Sequence, residues 1–169
     1  LPSGVTSIGD FAFAECSSLI SIEIPSGVTS IGTNLFAFCP SLTSIVVESG
    51  NTVYDSRNDC NAIIETATHT LIAGCQNTVI PNTVTSIGDY AFSACSSLTS
   101  IEIPSDVTSI GYQAFYGCSS LTSIEIPSGV TSIGNYAFEE CSSLTSISCH
   151  AESVPETYSD TFYNHDTTH

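Results

Sequence analysis

Apolar and polar positions recur along this chain in a sentence of fixed length, 23 residues with no slippage. Residues 80–102 read IPNTVTSIGDYAFSACSSLTSIE, residues 103–125 read IPSDVTSIGYQAFYGCSSLTSIE and residues 126–148 read IPSGVTSIGNYAFEECSSLTSIS. Two more copies fill 1–23 and 24–46. Within a copy, Ser100, Ile101, Glu102 and Ile103 alternate polar and apolar, the signature of a half-buried strand. Pro104 has no ladder donor and ends it. Val107 to Ile110 alternate more loosely and predict a second short extended segment across the coil. Gly111 permits a turn. Ala114, Phe115 and Cys118 then lie three to four apart, which predicts one apolar side of a short helix or 3₁₀ turn.

A fixed period in this range signals a stack of like units. One unit leaves both flat faces wet, so stacking must supply the burial and the hydrogen bonds together. The expected fold is a β-rich solenoid over 1–169 as a single domain. It has short helices or 3₁₀ turns, a curved parallel sheet with one strand per rung, and an inserted β-hairpin. The insertion is 48–79, where Ala62-Ile63-Ile64-Glu65 and Thr70-Leu71-Ile72-Ala73 read as two strands around Ala67-Thr68-His69. A degenerate last rung and tail fill 149–169. There Cys149, Pro155 and Phe162 echo the strand, the proline and the Ala-Phe position, and 164–169 look frayed.

The repeat LTSIEIPSxVTSIGxxAFxxCSSL resembles the BspA-like leucine-rich repeat of surface proteins from anaerobic bacteria and some parasitic protists. Leu98 to Ile103 form its L-x-x-L-x-L string, and the IP, VTSIG, AF and C elements recur in order. One departure stands out. The string's usual Asn is Gly27, Asp106 or Gly129 here, so Pro and Gly turn chemistry must replace an Asn ladder. The resemblance implies a leucine-rich-repeat solenoid, display at the cell surface, and attachment to host or extracellular-matrix protein. Long repeats bearing a hairpin also occur in that family. With residue 1 falling inside a repeat, the chain reads as a fragment of something longer.

Charge narrows the partners. There is one Lys or Arg, Arg57, against 17 Asp and Glu, for a net charge of −16. That balance argues against nucleic acid and anionic membrane surfaces, and no apolar run approaches membrane-spanning length. Protein partners with cationic segments remain. Cys16, Cys39, Cys95, Cys118 and Cys141 share one repeat position and read as a column of small buried thiols. Cys60, Cys75 and Cys149 fall off the register. Cys60 and Cys75 are symmetric about the hairpin tip, which leaves open both a disulfide and, as the plainer reading, two unbridged thiols.

Catalytic constellations are missing: no G-x-S-x-G, phosphate loop or H-E-x-x-H. His69, His150, His165 and His169 all lie outside the repeats and read as exposed surface. No cofactor is expected beyond weak Ca²⁺ binding. The expected ligand-facing residues lie either side of the central Ile of each strand: Ser21, Glu23, Ser44, Ser100, Glu102, Ser123, Glu125 and Ser146. The insertion offers a second candidate, Tyr54, Asp55, Arg57 and His69, with Arg57 expected to make a local ion pair or to cap backbone carbonyls. Tyrosines at the pair before each Ala-Phe either face a partner or cover the helix side. The resulting expectation is a non-enzymatic interaction or adhesion module. The alternative is a spacer that projects another domain, an assignment that low sequence variety on the strand face favours.

Overall fold

The computed structural model describes residues 1–150 together with Thr157, Asp160 and Thr161. The echoes at Pro155 and Phe162, the tail 164–169, His165 and His169 lie outside the described residues. Short strands follow the repeat: β1 (Ser7–Ile8), β2 (Ser21–Ile24), β3 (Ser30–Ile31), β4 (Ser44–Val47), β5 (Tyr54–Asp55), β6 (Ala62–Glu65), β7 (Thr70–Gly74), β8 (Ser86–Ile87), β9 (Ser109–Ile110), β10 (Ser123–Ile126), β11 (Ser132–Ile133) and β12 (Ser146–Cys149). Parallel pairs join each residue to its repeat equivalent, as in Ser21↔Ser44, Ser86↔Ser109 and Ser123↔Ser146. The fold is a parallel β-solenoid in register with the sequence period.

The second extended segment expected at V-T-S-I is present and pairs with its neighbour, so a complete rung carries two strands and not one. That side holds the largest sheet, in the order β11-β9-β8-β7-β6-β5. Threonine reinforces the stack there: Thr108 and Thr131 hydroxyls donate to the Thr85 and Thr108 carbonyls at 3.2 and 3.1 Å. The Ala-Phe segment, moreover, is no helix. Among the described residues the one helical element is a 3₁₀ turn at Arg57–Asp59. A helix would spend its N–H groups within its own segment. Here alternate N–H groups point along the stack, Phe92 N–H to Ala114 O at 2.7 Å and Phe115 N–H to Ala137 O at 2.8 Å, while those between them, such as Ser93 N–H to Tyr90 O at 3.1 Å, close local turns. Reaching that geometry takes left-handed backbone at Tyr90, Ala94, Gln113 and Gly117 (φ 58°, 56°, 49° and 66°).

Inside the coil the apolar columns stack on themselves. Phe92, Phe115 and Phe138 lie parallel with centroids 5.0 and 5.2 Å apart. The cysteine column does more than fill space. Cys39, Cys118 and Cys141 donate Sγ–H to the carbonyls of Phe13, Phe92 and Phe115, each in the preceding rung, at 2.9, 3.2 and 3.1 Å. Burial pushes Cys95 and Cys141 up to about 12 and Cys60 to about 11, so these thiols stay protonated and unreactive. All eight cysteines are free, and only Cys16 and Cys149 are exposed. Native protein at pH 8 should therefore alkylate at those two alone, with all eight labelled in denaturant; mass spectrometry of iodoacetamide-treated protein reads the count.

The hairpin forms where expected, with β6 and β7 antiparallel, yet it is no surface decoration. Ala62, Ile63 and Ile64 are all fully buried. Such continuous apolar runs mark strands covered on both faces. Ile63, Ala73 and Cys75 pack against rungs one and two, whereas Ala62, Ile64 and Leu71 pack against the later rungs. β7 then stands in for a rung: Leu71 pairs with Ile87, and Gly88 N–H bonds Leu71 O at 2.9 Å just as Gly111 N–H bonds Ile87 O at 2.8 Å. Cys75, off-register in sequence, lines one small cavity with Cys39 and Cys95 and so continues the thiol column.

Candidate interaction face

The repeated Ser-Ile-Glu-Ile strands build one face. Ile22, Ile24, Ile45, Ile124 and Ile126 turn inward and are buried. Ser21, Glu23, Ser100, Glu102, Ser123, Glu125 and Ser146 are exposed, and Ser44 is half-buried. The structure thus brings the sequence-derived strand-face residues onto a single side of the coil, with Val46 interrupting the column of acids. Two clefts indent this face around Glu102. One of about 510 Å³ reaches Ser123 and Glu125, and another of about 330 Å³ reaches Thr78, Val79 and Asn82.

His150 joins this face, which its position outside the repeats did not suggest. Its Nε2 sits 2.7 Å from Glu125 Oε1 with both side chains exposed. It occupies the repeat position held by Pro127 one rung earlier, a signal that alignment of the tail to the repeat makes visible. Glu48 is the other committed acid: it accepts the Ser26 N–H at 2.7 Å, which holds its carboxyl below the usual range. Among the described residues, Glu23 and Glu102 have no cationic partner.

The insertion candidates separate. Tyr54 is only 6% exposed. Its hydroxyl accepts the Ile31 N–H at 3.2 Å, so it braces the second rung and faces no solvent-borne ligand. Asp55, Arg57 and His69 do come together. Arg57 makes a two-pronged contact with Asp55, Nε to Oδ1 at 2.8 Å and Nη2 to Oδ2 at 2.6 Å. Its Nη1 lies 3.3 Å from His69 Nδ1 and 3.3 Å from Thr83 Oγ1. The expected local ion pair is present, and it occupies the guanidinium. No group of three or more His, Cys, Asp or Glu among the described residues is placed to hold a metal ion. On the turn side, Tyr90, Tyr112 and Tyr136 are half-buried. They pack edge-to-face at 5.3 and 5.8 Å, so much of their ring surface is spent on one another.

Comparison with known proteins agrees with this architecture. The model of the BspA type leucine rich repeat region matches six copies over residues 1–64 and 62–169. The chain belongs to the BspA-type leucine-rich repeat family. Among solved structures, a leucine-rich repeat protein from Eubacterium ventriosum is 32% identical with a TM-score of 0.77 over 90% of this BspA-type chain. A leucine rich cell surface protein from Faecalibacterium prausnitzii is 27% identical with a TM-score of 0.61, again over 90%. The pneumococcal vaccine antigen PcpA, 21% identical with a TM-score of 0.57, shares the fold. The chain spans 41% of the first of these proteins and 53% of the second. No curated protein sequence matches it.

Proposed function

We propose that this BspA-type chain is a non-enzymatic protein-interaction module, displayed at a cell surface, that binds basic segments of host or matrix proteins through its acidic strand face. The observation that carries the reading is uncompensated charge on a regular surface. Glu23 and Glu102 stand exposed in one column with Glu125, in a chain whose sole Arg is bound to Asp55. Such a face steers cationic partners toward it and repels anionic ones. Family membership supports an interaction or surface role, and the description of the Faecalibacterium protein as a cell surface protein supports the location. A passive spacer is the second reading, favoured by the near-identity of the rungs around Phe92, Phe115 and Phe138.

The test is a binding panel of immobilised matrix proteins and glycans, run at low and high salt, with and without Ca²⁺. We expect a salt-sensitive hit on a basic protein. The double change Glu102→Gln and Glu125→Gln should weaken it about tenfold, since exposed charge pairs contribute up to about 1 kcal/mol each. A hit that survives these changes but fails when 51–78 is replaced by a short turn moves the site to the hairpin. Silence across the panel favours the spacer.

A further inference from the structure

The stack is not fastened equally throughout. Rungs one and two are joined by the β1–β3 and β2–β4 ladders. Between them Phe11, Phe13 and Glu15 N–H also reach Thr33, Leu35 and Ala37 O at 3.0, 3.1 and 2.8 Å. The insertion is joined to rung three by the β7–β8 ladder, with Thr85 N–H to His69 O at 3.1 Å and Gly74 N–H to Ala91 O at 2.8 Å. Between 1–51 and 52–150 the picture differs. Among the described residues no strand pairs across that boundary, and no turn or loop backbone–backbone hydrogen bond crosses it. Asn34, Phe36 and Phe38 hold the places of Phe11, Phe13 and Glu15 one rung on, yet their N–H groups have no backbone acceptor among the described residues.

The insertion lacks the V-T-S-I-G and Ala-Phe segments whose carbonyls meet those N–H groups in the other rungs. Side chains close the seam instead. Tyr54 Oη accepts the Ile31 N–H at 3.2 Å, and Ser56 Oγ accepts the Val47 N–H at 3.0 Å. Gln76 Nε2 and Ser97 Oγ both donate to Pro40 O, at 3.3 and 2.9 Å. Tyr54, Ile63, Ala73 and Cys75 supply the apolar contact with rungs one and two. The aromatic column is interrupted here: Phe36 stacks on Phe13 and Phe92 on Phe115, and a small cavity is lined by Phe36 and Phe92 together. The chain crosses the seam just after Asn51, whose side chain holds both sides. Its Nδ2 donates to Pro25 O and Val28 O at 3.1 and 2.9 Å, and its Oδ1 accepts the Val53 and Tyr54 N–H groups at 2.9 and 2.8 Å.

We propose that this seam is a joint: residues 1–51 and residues 52–150 move as two bodies about Asn51, and the face between rung two and the insertion opens while the ladders on either side stay closed. Sub-global openings follow the units that are bonded internally, and hinges are a few link residues between such units. The joint puts Glu23 on one body and Glu102 and Glu125 on the other. The angle between the acid of rung one and the acids of the later rungs is then adjustable. The inference does not rest on the acidic-face reading above.

The test is amide hydrogen exchange of the full chain, followed by NMR at increasing sub-denaturing urea. Ile31 and Val47 are the reporters, because Tyr54 and Ser56 hold their N–H groups across the seam. The controls are Gly32 and Glu48, bonded to Ile8 O and Ile24 O at 2.8 and 2.9 Å, and Gly111, bonded to Ile87 O at 2.8 Å. We expect both reporters to be protected at least about tenfold less than the controls, with one shared urea slope. The double change Gln76→Ala and Ser97→Ala removes both bonds to Pro40 and leaves Tyr54 and Ser56 in place. If the seam opens as one face, both reporters lose about tenfold more protection, as for two lost hydrogen bonds, and the controls do not move. Reporters that exchange with the controls, that differ from each other in urea slope, or that ignore the double change overturn the joint and leave the acidic-face reading untouched.

Discussion

Phe115→Ala lowers the unfolding free energy by about 4 kcal/mol, the middle of the range for deleting a fully buried Phe. Phe115 is 0% exposed and lies between Phe92 and Phe138, its ring within 3° of parallel to each. The hole cannot close by bringing rungs together. The bonds Phe92 N–H to Ala114 O and Phe115 N–H to Ala137 O, at 2.7 and 2.8 Å, already set their spacing. A loss of this size is a large share of the roughly 5–15 kcal/mol that holds a domain folded. Phe13, half-buried and stacked on one side only at 5.9 Å, should cost about 2 kcal/mol on the same change. Phe11, 56% exposed, should cost under about 0.5 kcal/mol. Urea midpoints for the three variants give the order. Equal losses at Phe13 and Phe115 would show that stacking between rungs is not the source of stability.

Gly111→Ala is expected to cost about 3 kcal/mol, although it adds a single methyl group. A Cβ there would lie 2.6 Å from Asp89 N and 2.6 Å from Gly88 C, both backbone atoms that cannot swing aside. Relief requires the rungs to part, which strains the Gly111 N–H to Ile87 O bond of 2.8 Å and overpacks the stack. Gly9 holds the same place in the V-T-S-I-G motif, but its added Cβ meets nothing within 4 Å. Gly9→Ala should be close to neutral. Thermal melts of the two variants make the comparison, and a matched loss at Gly9 would mean that glycine is needed for its backbone freedom rather than for the close approach.

That contrast shows what a repeat conceals. The alternation at Ser123 to Ile126 gave the strand, its inward Ile124 and its outward Glu125, because a period of two has one structural meaning when one face is buried. The spacing of Ala114, Phe115 and Cys118 is ambiguous. Three-to-four spacing also arises in a tight turn with left-handed residues, and periodicity cannot tell whether N–H groups bond within the segment or to the next rung. Gly111 reads as a turn former until the neighbouring backbone is in view. Tyr54 reads as part of an exposed loop because its burial depends on the second rung, far away in sequence. Cys75 appears off-register because the insertion resets the count, although the chain returns it to the column. At the strand face, exposure was legible from the alternation, whereas the clefts around Glu102 depend on how neighbouring rungs meet there.

The most direct measurement of the central claim is an amide-resolved NMR titration of the labelled chain with a short peptide alternating Lys and Val. The account predicts shift changes confined to Ser100, Glu102, Ser123 and Glu125 and their rung neighbours, fading as salt is raised. Shifts centred instead on Asp55, Arg57 and His69, or on Tyr90, Tyr112 and Tyr136, with the strand face unmoved, would contradict it.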